Sequence, residues 1–159
     1  MRIAATASRG AGPPELPGPL YCDASALVKL YVPEAESDEL NRILEGRRDL
    51  LISDLSITEI VSSLSRRRRE GALEAGIVSR LHRAILGHVE AGVYRRVELI
   101  SATHREAERM LLSVEAARLR AADALHLALA VAGDAASLLT YDDHLANAGR
   151  ALGLNVFSR

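Results

Sequence analysis

"LYCDASALVKLYVPE", residues 20–34, decides the fold. A short apolar run, Leu20–Cys22, halts on a carboxylate, Asp23, and an amphipathic run follows as far as Pro33. Continuous apolar character followed by apolar residues at helical spacing predicts a buried strand leading straight into a helix. A carboxylate at the edge of a core is costly unless something pairs with it. Asp23 therefore needs a reason to stand where the strand ends.

The same pattern recurs along the chain. "LLIS" (50–53), "VYRRVELI" (93–100), "SLLT" (137–140) and "NVF" (155–157) read as strands, with the first at 20–23. Helical periodicity covers about 24–32, 36–46, 55–70, 74–90, 103–117, 121–132 and 143–152. Strands interleaved with helices predict βαβ units, so the fold class is α/β, a single domain with a mainly parallel central sheet and helices on both faces. Pro13, Pro14, Pro17 and Pro19 stand among Gly10, Gly12 and Gly18, a composition that buries little apolar surface. Residues 1–18 are accordingly expected to be a mobile tail and 19–159 the folded domain.

Composition narrows the function classes. The chain has 159 residues, of which 48% are hydrophobic, enough for one domain with a sizeable core. Its single cysteine, Cys22, excludes an intrachain disulfide and a cysteine-built zinc site. Twenty Lys and Arg against 21 Asp and Glu leave bulk charge silent about nucleic acid. No apolar run approaches a membrane span, and the first twenty residues lack the apolar stretch of a signal peptide, so a cytoplasmic protein is expected. Aromatic residues make up only 3% of the chain, which argues against base-stacking platforms.

Asp23 has company. Glu59 lies in "SDLSITEIVSSL" (53–64), Asp123 in "LRAADALHLALA" (119–130) and Asp142 in "LLTYDDHLA" (138–146). In open α/β sheets ligands gather beyond the carboxyl ends of the strands, where the topology would collect these acids. Each also has a local explanation. Asp at a helix start commonly caps it, Ser56–Glu59 matches a capping box, and either Asp142 or Asp143 can cap the last helix. Carboxylates that converge repel one another unless a cation neutralises them, and a hard divalent ion with oxygen ligands suits such a set.

In order and spacing, "YCDASALVKLYVPE", "SITEIVSSLSRR", "LRAADALHLALA" and "LLTYDDHLANAGRALGLNV" resemble the successive motifs of the PIN domain, and most of all those of the VapC-type toxins of bacterial toxin–antitoxin pairs. The likeness covers about residues 19–158. It implies a ribonuclease dependent on Mg²⁺ or Mn²⁺, with its catalytic acids on Asp23, Glu59, Asp123 and Asp142. The metal would be held by Asp23, Asp123 and Asp142, with Ser25 and Thr140 orienting carboxylates. The Thr-x-Asp spacing selects Asp142 over Asp143. The resemblance further implies a VapB-like antitoxin that masks the acids, a homodimer, and a structured RNA target such as transfer or ribosomal RNA. Two other readings stand beside it: a PIN-like module that binds RNA or protein without cutting, and a housekeeping RNA-processing nuclease. A phosphatase or a DNA-directed nuclease could use the same acids.

"SRRRREG" (65–71) is the densest positive run. Consecutive residues point around a whole helix, so at most two of these arginines face a substrate, and Arg66 and Arg69 are the candidates for RNA contact. The ordinary role is a solvated helix end whose charge complements the macrodipole. His126, three residues after Asp123, is expected to face the core or to support a ligand rather than to bind metal itself. Cys22 reads as a small core residue.

Overall fold

The computed structural model describes residues 16–113 and 119–158. The element order is β1 (Leu20–Cys22), α1 (Ala24–Tyr31), α2 (Ser37–Leu44), β2 (Leu50–Ser53), α3 (Asp54–Arg69), α4 (Ile77–Glu90), β3 (Tyr94–Val97), α5 (Ser101–Ser113), α6 (Ala121–Ala132), β4 (Ser137–Leu139), α7 (Asp143–Ala151) and β5 (Asn155–Phe157). The expected strands and helices are all present, with ends displaced by a few residues. The stretch 114–117 of the helix predicted over 103–117 lies outside the described residues.

The sheet is parallel throughout, in the order β3-β2-β1-β4-β5. Side chains alternate across it, because successive strand residues point to opposite faces. Leu20, Cys22, Leu50, Ile52 and Leu139 join one core with α1, α2 and α3. Tyr21, Leu51, Leu138 and Val97 join the other with α5, α6 and α7. Strands buried on both faces therefore read as unbroken apolar runs rather than alternating ones. Cys22 is fully buried in the first core, as its small apolar character suggests.

Local chemistry sets the boundaries. Asp23 caps α1, and the chain leaves that helix at Val32, the residue before Pro33, where helical backbone is disfavoured. Ser53, the last residue of β2, caps α3 by accepting a hydrogen bond from the Ser56 N–H. Helix α6 is apolar on nearly every side and lies buried, with Ala124, Leu127, Ala128, Leu129 and Ala130 wholly or almost wholly inaccessible.

The boundary expected at residue 18 needs correcting for its last three residues. Leu16 packs in the first core, its carbonyl accepts from Arg47 at 2.7 Å, and the Pro17 carbonyl accepts from the Ser137 hydroxyl at 2.6 Å. Pro19 continues this pairing, its carbonyl accepting from Ala136 and Ser137. A short β1 is thus extended by irregular chain that carries its own hydrogen bonds, which composition does not reveal. Residues 1–15 of the expected tail lie outside the described residues.

Candidate active site

The sheet order reverses at β1, with β2 on one side and β4 on the other. The crevice beyond the carboxyl ends of β1 and β4 is where a doubly wound sheet places a ligand. Asp23 stands there at the end of β1. Its Oδ1 accepts from the Ala26 N–H at 3.0 Å, and the Ser25 hydroxyl lies 2.7 and 2.8 Å from its two oxygens. Across the crevice the Thr140 hydroxyl donates to Oδ2 at 2.8 Å. Ser25 Oγ accepts from the Tyr141 N–H, and Thr140 Oγ1 accepts from the Asp142 N–H, so the ends of β1 and β4 are tied together through this one carboxylate. Burial pushes the Asp23 carboxyl above the ordinary carboxylate range, opposed by the Ala26, Ser25 and Thr140 bonds and by nearby His126.

Asp123 and Asp142 fulfil the local expectation as well. Asp123 Oδ2 accepts from the Arg120 N–H in the first turn of α6. Asp142 caps α7, its Oδ1 accepting from His144 and Leu145, while Asp143 is exposed. Each capping acid spends one oxygen on backbone and keeps the other unengaged by protein donors among the described residues. Capping and site-forming are here the same placement, because helix N-termini open toward the crevice.

Glu59 departs from its local explanation. The cap of α3 is Ser53, not Ser56, so Glu59 sits in the second turn and closes no capping box. Its Oε2 instead lies 2.7 Å from Nε2 of His126 on α6. Nδ1 of His126 lies 2.8 Å from the Tyr21 hydroxyl, which lies 2.7 Å from Ser53 Oγ. Tyr21 and Ser53 are wholly buried and His126 is buried. Nothing in sequence spacing announces this chain of contacts. The usable signal is parity: Tyr21 and Ser53 stand on the sheet face that α6 covers.

All four acids line one open cleft of about 480 Å³, together with Ser25, His126, Arg66, Arg69 and Arg120. Arg67, between the two cleft arginines, turns away to pair with Glu34 at 2.6 Å. Arg120 was not singled out by sequence because it belongs to no basic run.

Among the described residues, no lysine or arginine forms an ion pair with Asp23, Asp123 or Asp142. Nor do three or more His, Cys, Asp or Glu side chains there form a group that could hold a metal ion as they stand. The donor set nevertheless fits a hard divalent cation. It is all oxygen, it includes a buried carboxylate lacking a counter-charge, and an ion of the Mg²⁺ kind typically takes only one or two carboxylates and keeps its waters. His126 has both ring nitrogens engaged and offers none to a metal.

Comparison with known proteins places these features in context. The family model of the PIN domain matches residues 20–151. Ribonuclease VapC46 of Mycobacterium tuberculosis is 36% identical over 142 residues, which span 87% of this chain and 96% of that protein. Ribonuclease VapC35 of the same organism is 33% identical over 146 residues, 86% of this chain and 94% of that protein. Among solved structures, M. tuberculosis VapC20, a toxin that cleaves the sarcin–ricin loop, superposes with a TM-score of 0.64 at 17% identity, covering 82% of this chain and 95% of that one. PAE2754 from Pyrobaculum aerophilum gives 0.62 at 22% identity, covering 86% and 82%. These two structural likenesses establish the fold.

Proposed function

Because the chain belongs to the PIN-domain family, we propose that it is an endoribonuclease that hydrolyses RNA phosphodiester bonds with Mg²⁺ or Mn²⁺, and the toxin half of a type II toxin–antitoxin pair. The observation that carries this reading is the gathering of Asp23, Glu59, Asp123 and Asp142 on one cleft, where Asp23 is buried without a counter-charge. The relatives named ribonucleases, 36% and 33% identical along most of the chain, support the choice of substrate.

Asp23, Asp123 and Asp142 would hold the cation. When bound, it would neutralise charge on the phosphoryl oxygens and acidify water. The protein's own residues do the rest. Ser25 and Thr140 keep the Asp23 carboxylate in one orientation. Glu59, with Oε1 unengaged by protein donors, orients the attacking water. Water adds to phosphorus, the bond to the 3′ oxygen breaks, and the products carry a 5′ phosphate and a 3′ hydroxyl. Arg66 and Arg69 contact flanking phosphates, which positions the strand without reading its sequence. With few aromatic side chains available, selection falls to RNA shape and backbone, in keeping with a structured target. A VapB-like antitoxin would silence the enzyme by covering the cleft, and a homodimer acting in the cytoplasm completes the proposal. Among the described residues no helix is long and apolar enough to cross a membrane.

The test uses labelled RNA, DNA and a phosphomonoester with Mg²⁺, Mn²⁺ or a chelator. Wild type should cut RNA only with metal, and Asp23→Asn and Asp123→Asn should each abolish cutting while remaining folded. Undiminished metal-dependent cleavage by both variants would reject these roles. Binding without cutting would mark a non-catalytic module.

A further inference from the structure

The mechanism above leaves a buried polar chain unexplained. Tyr21 lies on the central strand, His126 in the middle of the buried helix α6, and Ser53 at the end of β2, and no helix cap or strand ladder requires the three to meet. Buried polar groups are costly unless fully bonded, so a complete chain of them needs an account.

The hydrogen bonds can be followed from the inside out. Ser56 Oγ donates to the Cys22 carbonyl at 3.2 Å, and its N–H donates to Ser53 Oγ at 3.0 Å. The Ser53 hydroxyl lies 2.7 Å from the Tyr21 oxygen and 3.0 Å from Ser56 Oγ. The Tyr21 hydroxyl in turn lies 2.8 Å from Nδ1 of His126. Nε2 of His126 lies 2.7 Å from Glu59 Oε2, and because a carboxylate only accepts, the ring donates there through Nε2–H. The chain of contacts ends on Glu59, whose side chain is 36% exposed. Asp23, by contrast, is 4% exposed and is held from its own strand end.

We propose that His126 is a positioning residue for the reaction: anchored by Tyr21 and Ser53, it fixes the Glu59 carboxylate by one oxygen and leaves the other to face the cleft. This deepens the ribonuclease reading and rests on it. Glu59 reaches the cleft from the second turn of α3, on a flexible side chain with three rotatable bonds. A donor rooted in the core restricts that side chain to one pose, which is what groups behind a reactive carboxylate do. With both nitrogens occupied, His126 acts only through Glu59.

The experiment is a cycle of variants read by RNA cleavage and by nitrogen-15 NMR of the histidine rings in the full chain. Tyr21→Phe removes one oxygen and keeps the ring. It should lower kcat by about 10–100-fold, the usual cost of losing such a support, with KM for RNA little changed. In a Glu59→Gln background the same change should cost nothing further. His126→Gln, whose amide N–H can stand in for Nε2–H, should retain most of kcat, while His126→Leu should lose it. The NMR spectrum should show a proton on Nε2 of His126, with that resonance moving in Glu59→Gln. Additive losses for Tyr21→Phe and Glu59→Gln, equal activity in the two His126 variants, or the lack of a proton on Nε2 would each overturn the inference. If Tyr21→Phe fails to fold, the His126 pair decides the matter. If wild type cuts no RNA, the ribonuclease reading falls by itself, and the NMR arm still decides whether His126 holds Glu59.

Discussion

Replacing Thr140 with valine should reveal how tightly the two halves of the site depend on one carboxylate. Valine matches threonine in shape, so the fully buried position suffers little repacking. Three hydrogen bonds disappear: the one Thr140 donates to Asp23 Oδ2 at 2.8 Å, the one it accepts from the Asp142 N–H at 3.0 Å, and a long contact with Ser25 Oγ at 3.4 Å. A bond to an ionised acceptor contributes about 1.5–3 kcal/mol, and an unpaired backbone N–H in a half-buried place costs about 1 kcal/mol more. With Asp23 ionised, the expected loss is therefore about 2–4 kcal/mol, or about 5–15 °C in Tm for a chain of this size. The sign of its pH dependence follows from the raised Asp23 pKa. A carboxyl raised by burial makes ionisation unfavourable to folding. That penalty is absent below the ordinary aspartate value, grows as pH rises through it, and is complete above the raised folded value. Removing the Thr140 donor raises the folded value further and enlarges the penalty at pH values above it. Near pH 3 Asp23 is protonated in both states, and only the loss of neutral bonds persists. Denaturant unfolding of metal-free protein across a pH series should thus give a larger cost once Asp23 ionises than near pH 3, and a smaller one in an Asp23→Asn background. A cost independent of pH and unchanged by Asp23→Asn would show that Thr140 supports something other than the carboxylate.

Metal binding can be read without catalysis: at Mg²⁺ or Mn²⁺ ten times Kd, wild type should gain about 1.4 kcal/mol, or about 3–6 °C in Tm. Asp23→Asn should gain far less, and an equal gain would place the ion elsewhere. Charge reversal at both Arg66 and Arg69 in an Asp23→Asn background, chosen because that variant is expected not to cleave, should weaken RNA binding and flatten its salt dependence by about 1 per lost phosphate contact, measured by anisotropy across a salt series. An unchanged slope would return both arginines to the solvated helix end. Leu127→Ala, at a fully buried position of α6, should destabilise by about 2–5 kcal/mol in thermal or denaturant melts. A loss under 1 kcal/mol would mean that α6 is less firmly packed than it stands here.

Periodicity disclosed the order of strands and helices because β1, β2 and β4 are buried on both faces and most helices start or stop at a cap, a proline or a glycine. Asp23, Asp123 and Asp142 stand at a strand end or a helix start, where that reading puts them, whereas Glu59 sits in the second turn of α3. Ser25 and Thr140 are found where the Asp-x-Ser and Thr-x-Asp spacing puts them. What escaped was three-dimensional. Ser56 and Glu59 have the letters of a capping box, yet Ser53 takes the cap because the backbone turns helical one residue after β2 ends. Tyr21 looks like core, and it is core, but its hydroxyl finds a histidine 105 residues away. Leu16–Gly18 look like tail because composition cannot register the carbonyls that Arg47 and Ser137 use.

The placement of β1 has a consequence for how the molecule is made. The central strand β1 precedes all of its sheet partners in the chain, and β2 can dock on one of its edges early. Its other edge stays bare until β4 follows, and Thr140, 117 residues beyond Asp23, arrives with it. Contacts so distant along the chain close late in folding. A chain halted before β4 therefore carries Asp23 but no finished cleft.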